Sequence, residues 1–322
     1  MKRRIAGLVL VVSMLGGALC ACSDSDKDSD ETTAATEDTE AAEETEAADE
    51  TEAPEETDEA EPSESDAAVS KIVSLSPTVT EIVFALGGGD KVVGVTSYDD
   101  YPEDVFTKTV VGDTMDPDVE TIITLEPDIV FASVFLSEDA QNAISDAGLE
   151  LVVVEDGANV EDMIAHVQMV ADLIGMSEEG EELAMSLSDR VAEVVDSSVD
   201  ADVSVYYVAG YGEYGDFTAG EGTFVDNLIT LAGAVNAGAA ADGWSISQEA
   251  ILEADPDYLL IPEWATDITT MEPYASLTAV EEGRVIPVDV NLFDRQGPRN
   301  VDAIELIQGL VADYAEAEAD AA

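Results

Sequence analysis

The residues able to do covalent chemistry are few in this chain, and those able to carry charge are many. It has one histidine, His166, and two cysteines, Cys20 and Cys22, against 73 aspartates and glutamates. A serine or cysteine triad would rest wholly on His166, which falls in a helical pattern far in sequence from any candidate nucleophile. No Walker loop or GxSxG motif is present. Carboxylate pairs of the kind glycosidases use are uninformative in so acidic a chain. A metal site on His166 would lack a second histidine to share it, and a lone helical histidine is more often a surface residue. The expectation is a binding protein with no catalytic residues, no metal site and no resident cofactor.

Recognition of a ligand needs aromatic faces and hydrogen-bonding tips at the ends of strands. Tyr98, Ser133, Tyr211, Trp244, Phe293 and Arg295 occupy such places. Tyr211 sits in the glycine-rich run Ala209–Gly215, as cleft lining or as an ordinary turn aromatic. Trp244 follows the small-residue run Ala239–Gly243, as ligand platform or core plug. Arg295 is one of seven basic residues after position 67, with Lys71, Lys91, Lys108, Arg190, Arg284 and Arg299. A guanidinium in a cleft bonds amides or carboxylates; its plainer use is a surface ion pair.

The elements that must position these residues begin at Lys71. Ile72–Leu75 reads as a strand, and Ser76-Pro77-Thr78 as a helix start. Either Ser76 caps with Pro77 first in the helix, or Thr78 and Glu81 form a capping box. Ile82, Val83, Ala85 and Leu86 make the stripe, and Gly87-Gly88-Gly89 the stop. Val92–Val95 is the next strand. Strand–helix–strand with short connections predicts parallel strands, with ligand loops at their carboxyl ends. The alternation continues to the end, predicting an α/β protein with parallel sheets covered on both faces. Roughly 250 residues are available, comfortable for two lobes. A long mixed helix, about Glu178 to Asp196, is placed to join them. The expected organisation is an N-terminal lobe over 68–176, a bridge over 177–198 and a C-terminal lobe over 199–322.

One stretch occurs twice. Glu120–Asp128, ETIITLEPD, matches Glu249–Asp257, EAILEADPD, at identical spacing, and each runs into an apolar strand. Each lobe thus carries one helix–turn–strand unit headed by a glutamate.

The amino terminus differs in kind. Lys2-Arg3-Arg4 precedes an apolar run, Ile5 to Leu15, too short to span a bilayer comfortably. Leu19-Cys20-Ala21-Cys22 resembles a bacterial lipobox, so residues 1–21 read as a signal peptide and Cys22 as the lipidated first residue. With both cysteines so consumed, no disulfide is expected. Residues 22–67 are nearly all acidic or small, with nothing to offset ordering entropy, and read as an extended tether. The formal net charge of −62 argues against nucleic acid as a partner. Membrane association is expected through the lipid only.

These residues resemble a known family. Ser74-Leu75-Ser76-Pro77, Thr80-Glu81, the glycine-ended helix and the Tyr98–Pro102 loop are similar to the opening of substrate-binding proteins of bacterial cobalamin, siderophore and haem importers. The vitamin B12 binders, of the helical-backbone metal-receptor group, are the most similar. Leu292–Arg299, LFDRQGPR, resembles their closing Trp-Phe-Glu-Arg-x-x-Pro-Arg loop. Tyr98, Trp244, Phe293 and Arg295 fall on ligand-contact positions of that pattern, whereas Thr114 and Ser133 stand where B12 binders can carry tryptophans. The resemblance implies two Rossmann-like lobes joined by one long helix, with little hinge motion. It implies an extracytoplasmic monomer that hands ligand to a permease dimer with its ATPase. Glu120 and Glu249 match the pair of glutamates that engage permease arginines. The scarcity of cations favours a corrinoid as ligand over a haem or ferric siderophore, which are often anionic.

Overall fold

The computed structural model describes residues 68–199 and 201–321. The signal peptide, Cys22 and the tether lie outside the described residues. Two parallel sheets are joined in sequence by one long helix.

The first sheet is built from β1 (Ile72–Leu75), β2 (Val92–Val95), β3 (Thr109–Val110), β4 (Ile129–Ser133) and β5 (Leu151–Val154), in the order β3-β2-β1-β4-β5. Every pairing is parallel. β1 lies at the centre and is buried along its whole length, which is why it reads as an apolar run with Ser74 its one polar residue. Helices α1 (Pro77–Ala85), α2 (Val119–Leu125) and α3 (Glu138–Asp146) make the crossovers, and α4 (Val160–Leu173) leads from β5 to the bridging helix. Ser76 precedes α1 with Pro77 first, as one of the two readings has it, but the Ser76 side chain makes no cap bond. The capping box does not form, because Glu81 points away from the helix start to distant partners. Ala85 is exposed and leaves the stripe to Val79, Ile82, Val83 and Leu86. Gly87, at φ 81°, turns the chain out of α1 in the left-handed region.

Helix α5 (Ser177–Ser197) is the bridge. Beyond it come β6 (Ser204–Tyr207), β7 (Asp216–Phe217), β8 (Val235–Asn236), β9 (Ser245–Ile246), β10 (Tyr258–Pro262) and β11 (Val285–Val288). The main second sheet runs β11-β10-β6-β8, again all parallel, and β7 pairs with β9 as a small antiparallel ribbon. Its helices are α6 (Phe224–Leu231), α7 (Gln248–Ala254), α8 (Thr278–Glu281), α9 (Asn291–Asp294) and α10 (Asn300–Ala321). α10 runs on through the Ala/Glu-rich tail, which contains no glycine or proline stop.

The two lobes share one apolar core. Ile72, Val83 and Phe131 of the first sheet layer, Leu187 and Val194 of α5, Val205, Leu228, Leu260 and Ile304 of the second belong to one continuous cluster of buried side chains. Among the described residues no helix is long and apolar enough to cross a membrane.

Candidate functional site

The carboxyl ends of the first sheet open on a cavity of about 460 Å³. Ser76, Pro77 and Thr78 follow β1, Tyr98 follows β2, Thr114 lies beyond β3, Ser133 and Phe135 close β4, and Glu155 and Asp156 follow β5. The opposing wall is Asn291, Asp294, Arg295 and Gln296, from the second lobe. A further cavity of about 320 Å³ shares Asp156, Asp294 and Gln296 with it, and adds Ala209, Phe224, Val225, Trp244 and Phe293. Together they form a cleft between the lobes, in the place where open parallel sheets bind ligands.

The predicted residues divide between these walls. Tyr98, Ser133 and Arg295 meet in the first cavity, Trp244 and Phe293 in the second. Tyr98 is 58% exposed and Trp244 44%, so both present aromatic faces to solvent. Phe293 is fully buried and stacks on Tyr207, ring centroids 4.9 Å apart, so it is a floor that packs more than it presents. Tyr211 lines neither cavity. Its ring stacks at 16° on Trp264, and its hydroxyl donates to Asp267 Oδ1 at 2.7 Å.

Arg295 is paired rather than free. Its guanidinium donates to Glu81 Oε1 at 2.9 Å, Asp100 Oδ1 at 2.6 Å and the Tyr98 carbonyl oxygen at 2.8 Å. Burial works against its charge, but the bonds to Glu81 and Asp100 outweigh that and push its pKa up. Arg299 donates through Nε and Nη2 to Glu81 at 2.7 and 2.6 Å, and through Nη1 to Asp289 at 3.0 Å. Both readings of Arg295 are therefore partly met: it lines the cleft, and its charge is already answered by carboxylates.

Three acids face the same space. Asp294 is walled by protein yet open to the cavity on one side, and this loss of solvation lifts its carboxyl to about 6, against the bond from Tyr207 Oη at 2.8 Å. Desolvation also raises Asp156, opposed by the charge of His166. Glu155 completes the set. Sequence reasoning passed over Asp156 and Gln296 as lining residues and set His166 aside as a surface residue. For His166 a signal existed: it lies within two turns of the start of α4, directly after the β5 exit loop, so the helix carries it back to the cavity rim.

Glu120 and Glu249 are exposed and form no ion pair among the described residues. Each sits in the first turn of a seven-residue helix, behind a capping Asp118 or Ser247. Their shared motif has a visible structural use. Glu126 and Asp255 end the two helices in the left-handed region, and the next acids pin the head of a neighbouring strand. Asp128 Oδ2 accepts from Ser70 N and Oγ, both at 2.8 Å; Asp257 Oδ2 accepts from Ser204 N at 2.8 Å and Oγ at 2.7 Å.

Two parallel α/β lobes on one bridging helix, with a cleft at the strand ends, define a substrate-binding protein of the helical-backbone kind. The periplasmic binding protein family profile matches residues 72–291, and the chain belongs to that family. It is 33% identical over 245 residues to YvrC, an ABC transporter substrate-binding lipoprotein of Bacillus subtilis, covering 73% of this chain and 77% of that one. A cobalamin-binding protein of Halobacterium salinarum is 27% identical over 265 residues, 75% of this chain and 71% of its own. Among solved structures, the periplasmic heme-binding protein RhuT of Roseiflexus superposes with a TM-score of 0.69 at 27% identity, covering 77% of this chain and 99% of that one. The protein is thus an extracytoplasmic substrate-binding component of an ABC transporter, which works with permease and ATPase components.

Proposed function

We propose that this protein captures a corrinoid in the inter-lobe cleft and delivers it to an ABC importer. One observation carries the choice of ligand. Arg295, the arginine of the cleft wall, is already paired with Glu81 and Asp100, and Arg299, outside the two cavities, with Glu81 and Asp289, while Glu155, Asp156 and Asp294 add negative charge to the walls. An anionic ligand would meet no unanswered guanidinium there. A corrinoid presents a near-neutral periphery of amides, suited to carboxylate acceptors and to the exposed faces of Tyr98 and Trp244. Its similarity to the Halobacterium cobalamin-binding protein supports the same reading.

A haem is the second reading, favoured by Tyr98 and His166 lining one cavity, since a phenol and an imidazole both ligate iron. Visible absorbance and calorimetric titration with cyanocobalamin and with haemin separate the two. Cyanocobalamin should bind one to one, and Trp244→Ala should weaken it by about 1–3 kcal/mol. No binding of cyanocobalamin beside tight binding of haemin would replace the first reading with the second.

The anchor is the other part of the proposal. Cys22 carries lipid and holds the domain at the outer face of the cell membrane, on the motif Leu19-Cys20-Ala21-Cys22. Fractionation of a Cys22→Ser variant should find it released, and its retention with membranes would exclude this anchor.

A further inference from the structure

Glu81 is 3% exposed, on α1 of the first lobe, and its partners Arg295 and Arg299 come from the second. A buried ion of this kind is costly to desolvate and adds little net stability over an apolar replacement. What it does add is direction. Arg295, held at 2.9 Å by Glu81, also grips the Tyr98 carbonyl oxygen and Asp100. Arg299, held at 2.6 and 2.7 Å, lies over the Tyr101 ring at 4.2 Å. One carboxylate thus orients two guanidinium groups, and these grip three neighbouring residues of the loop that carries Tyr98. The loop's other ties are Asp99 Oδ2 accepting from Thr96 N at 2.8 Å and Thr96 Oγ1 at 2.6 Å, Tyr98 N donating to Thr96 Oγ1 at 3.1 Å, Ser97 N donating to the Gly112 carbonyl oxygen at 2.7 Å, and one more bond across the lobes, Asn291 Nδ2 donating to Asp100 Oδ2 at 3.2 Å.

We propose that Glu81 is a positioning residue for the ligand cleft: through Arg295 and Arg299 it fixes the Tyr98 loop of one lobe against the 291–299 segment of the other, so that the rim is set before ligand arrives. Glu81 touches no ligand in this scheme. Its role in binding rests on the proposed function, but its role in ordering the rim does not, and the experiment has an arm for each.

The first arm is amide hydrogen exchange on the ligand-free protein, wild type and Glu81→Gln. Exchange in peptides spanning 96–101 and 289–299 should rise together by about tenfold or more, while β4 stays as protected as in the wild type. Asp100→Asn, at a half-exposed rim position, serves if Glu81→Gln does not fold, and should loosen 96–101 in the same way. Unchanged exchange at the rim would show that the Thr96–Asp99, Ser97–Gly112 and Asn291–Asp100 ties suffice and overturn the proposal. An equal rise in β4 would also overturn it, by making Glu81 a general stability residue.

The second arm is a double-mutant cycle with Tyr98→Ala, read by cyanocobalamin titration. Each single variant should weaken binding by about tenfold, and the pair by little more than either alone, because both act through one loop. Multiplying effects would overturn the proposal. Should cyanocobalamin fail to bind the wild type while haemin binds, the corrinoid reading falls and the cycle is run with haemin. Should neither bind, the exchange arm alone decides the role of Glu81.

Discussion

At the scale of single residues, Asp294 has the most distinctive chemistry in the cleft. It accepts from Tyr207 Oη, faces both cavities, and has Arg295 drawing its pKa down and Asp289 pushing it up. Desolvation dominates, lifting the carboxyl from 3.8 to about 6. Between those values the folded chain holds a proton that the unfolded chain has lost. Stability linked to this group is therefore fully present below 3.8 and falls as pH rises toward about 6, then levels off. Asp294→Asn keeps an acceptor for Tyr207 and cannot titrate. Its thermal midpoint relative to wild type should climb as pH rises through that window and stay constant above it. A difference that does not change with pH there would show that the carboxyl titrates at its ordinary value.

At the scale of elements, the duplicated helix–turn–strand unit is where sequence and structure agree most closely. The matched motif becomes the same device twice, an acid after proline tying down the head of β1 or β6. Asp128 is exposed, yet its bonds from Ser70 and Lys71 hold its carboxyl below the usual range. Asp257 is less exposed and also approaches Arg284 at 3.9 Å. Urea unfolding should therefore show Asp257→Ala costing about 2 kcal/mol and Asp128→Ala about 1, since solvent competes for the exposed acceptor. Equal losses, or none, would mean that strand pairing holds these heads without the acids. Periodicity and stop signals are local, which is why β1–α1–β2 was legible to within a residue or two. Glu81 was not legible, because its partners lie more than 200 positions away and a capping box was the nearest local use for it. Tyr211 misled for a related reason. A tyrosine after a strand marks the cleft end of the sheet, but not which neighbour, here Trp264, will cover its face.

At the scale of the whole molecule, the continuous core through α5 decides how the protein can meet its transporter. Lobes that share buried side chains on both sides of the bridge do not swing freely, so surface points on each lobe keep a fixed separation. Glu120 and Glu249 are such points: one per lobe, exposed, without an ion pair among the described residues, and at equivalent places in the repeated unit. The repeat itself is accounted for by strand pinning through Asp128 and Asp257, so it does not by itself demand a partner. Helix-start stabilisation, worth about 0.3–1 kcal/mol each, would account for an acid at either position. With seven lysines and arginines after position 67, most surface acids among the described residues have no cation, so what marks this pair is its equivalent place in the two lobes. A two-fold permease meeting a rigid two-lobed protein needs one contact per lobe at a set spacing, and a fixed pair of carboxylates offers that to basic groups on each subunit. The double variant Glu120→Ala, Glu249→Ala should therefore bind cyanocobalamin as the wild type does. Uptake through the reconstituted transporter should fall, and should lose much of its dependence on ionic strength, because surface charges steer docking more than they strengthen it. Unchanged uptake would leave the two glutamates as helix-start acids and put the docking surface elsewhere on the lobes; uptake lost together with ligand affinity would show instead that the substitutions had disturbed the cleft.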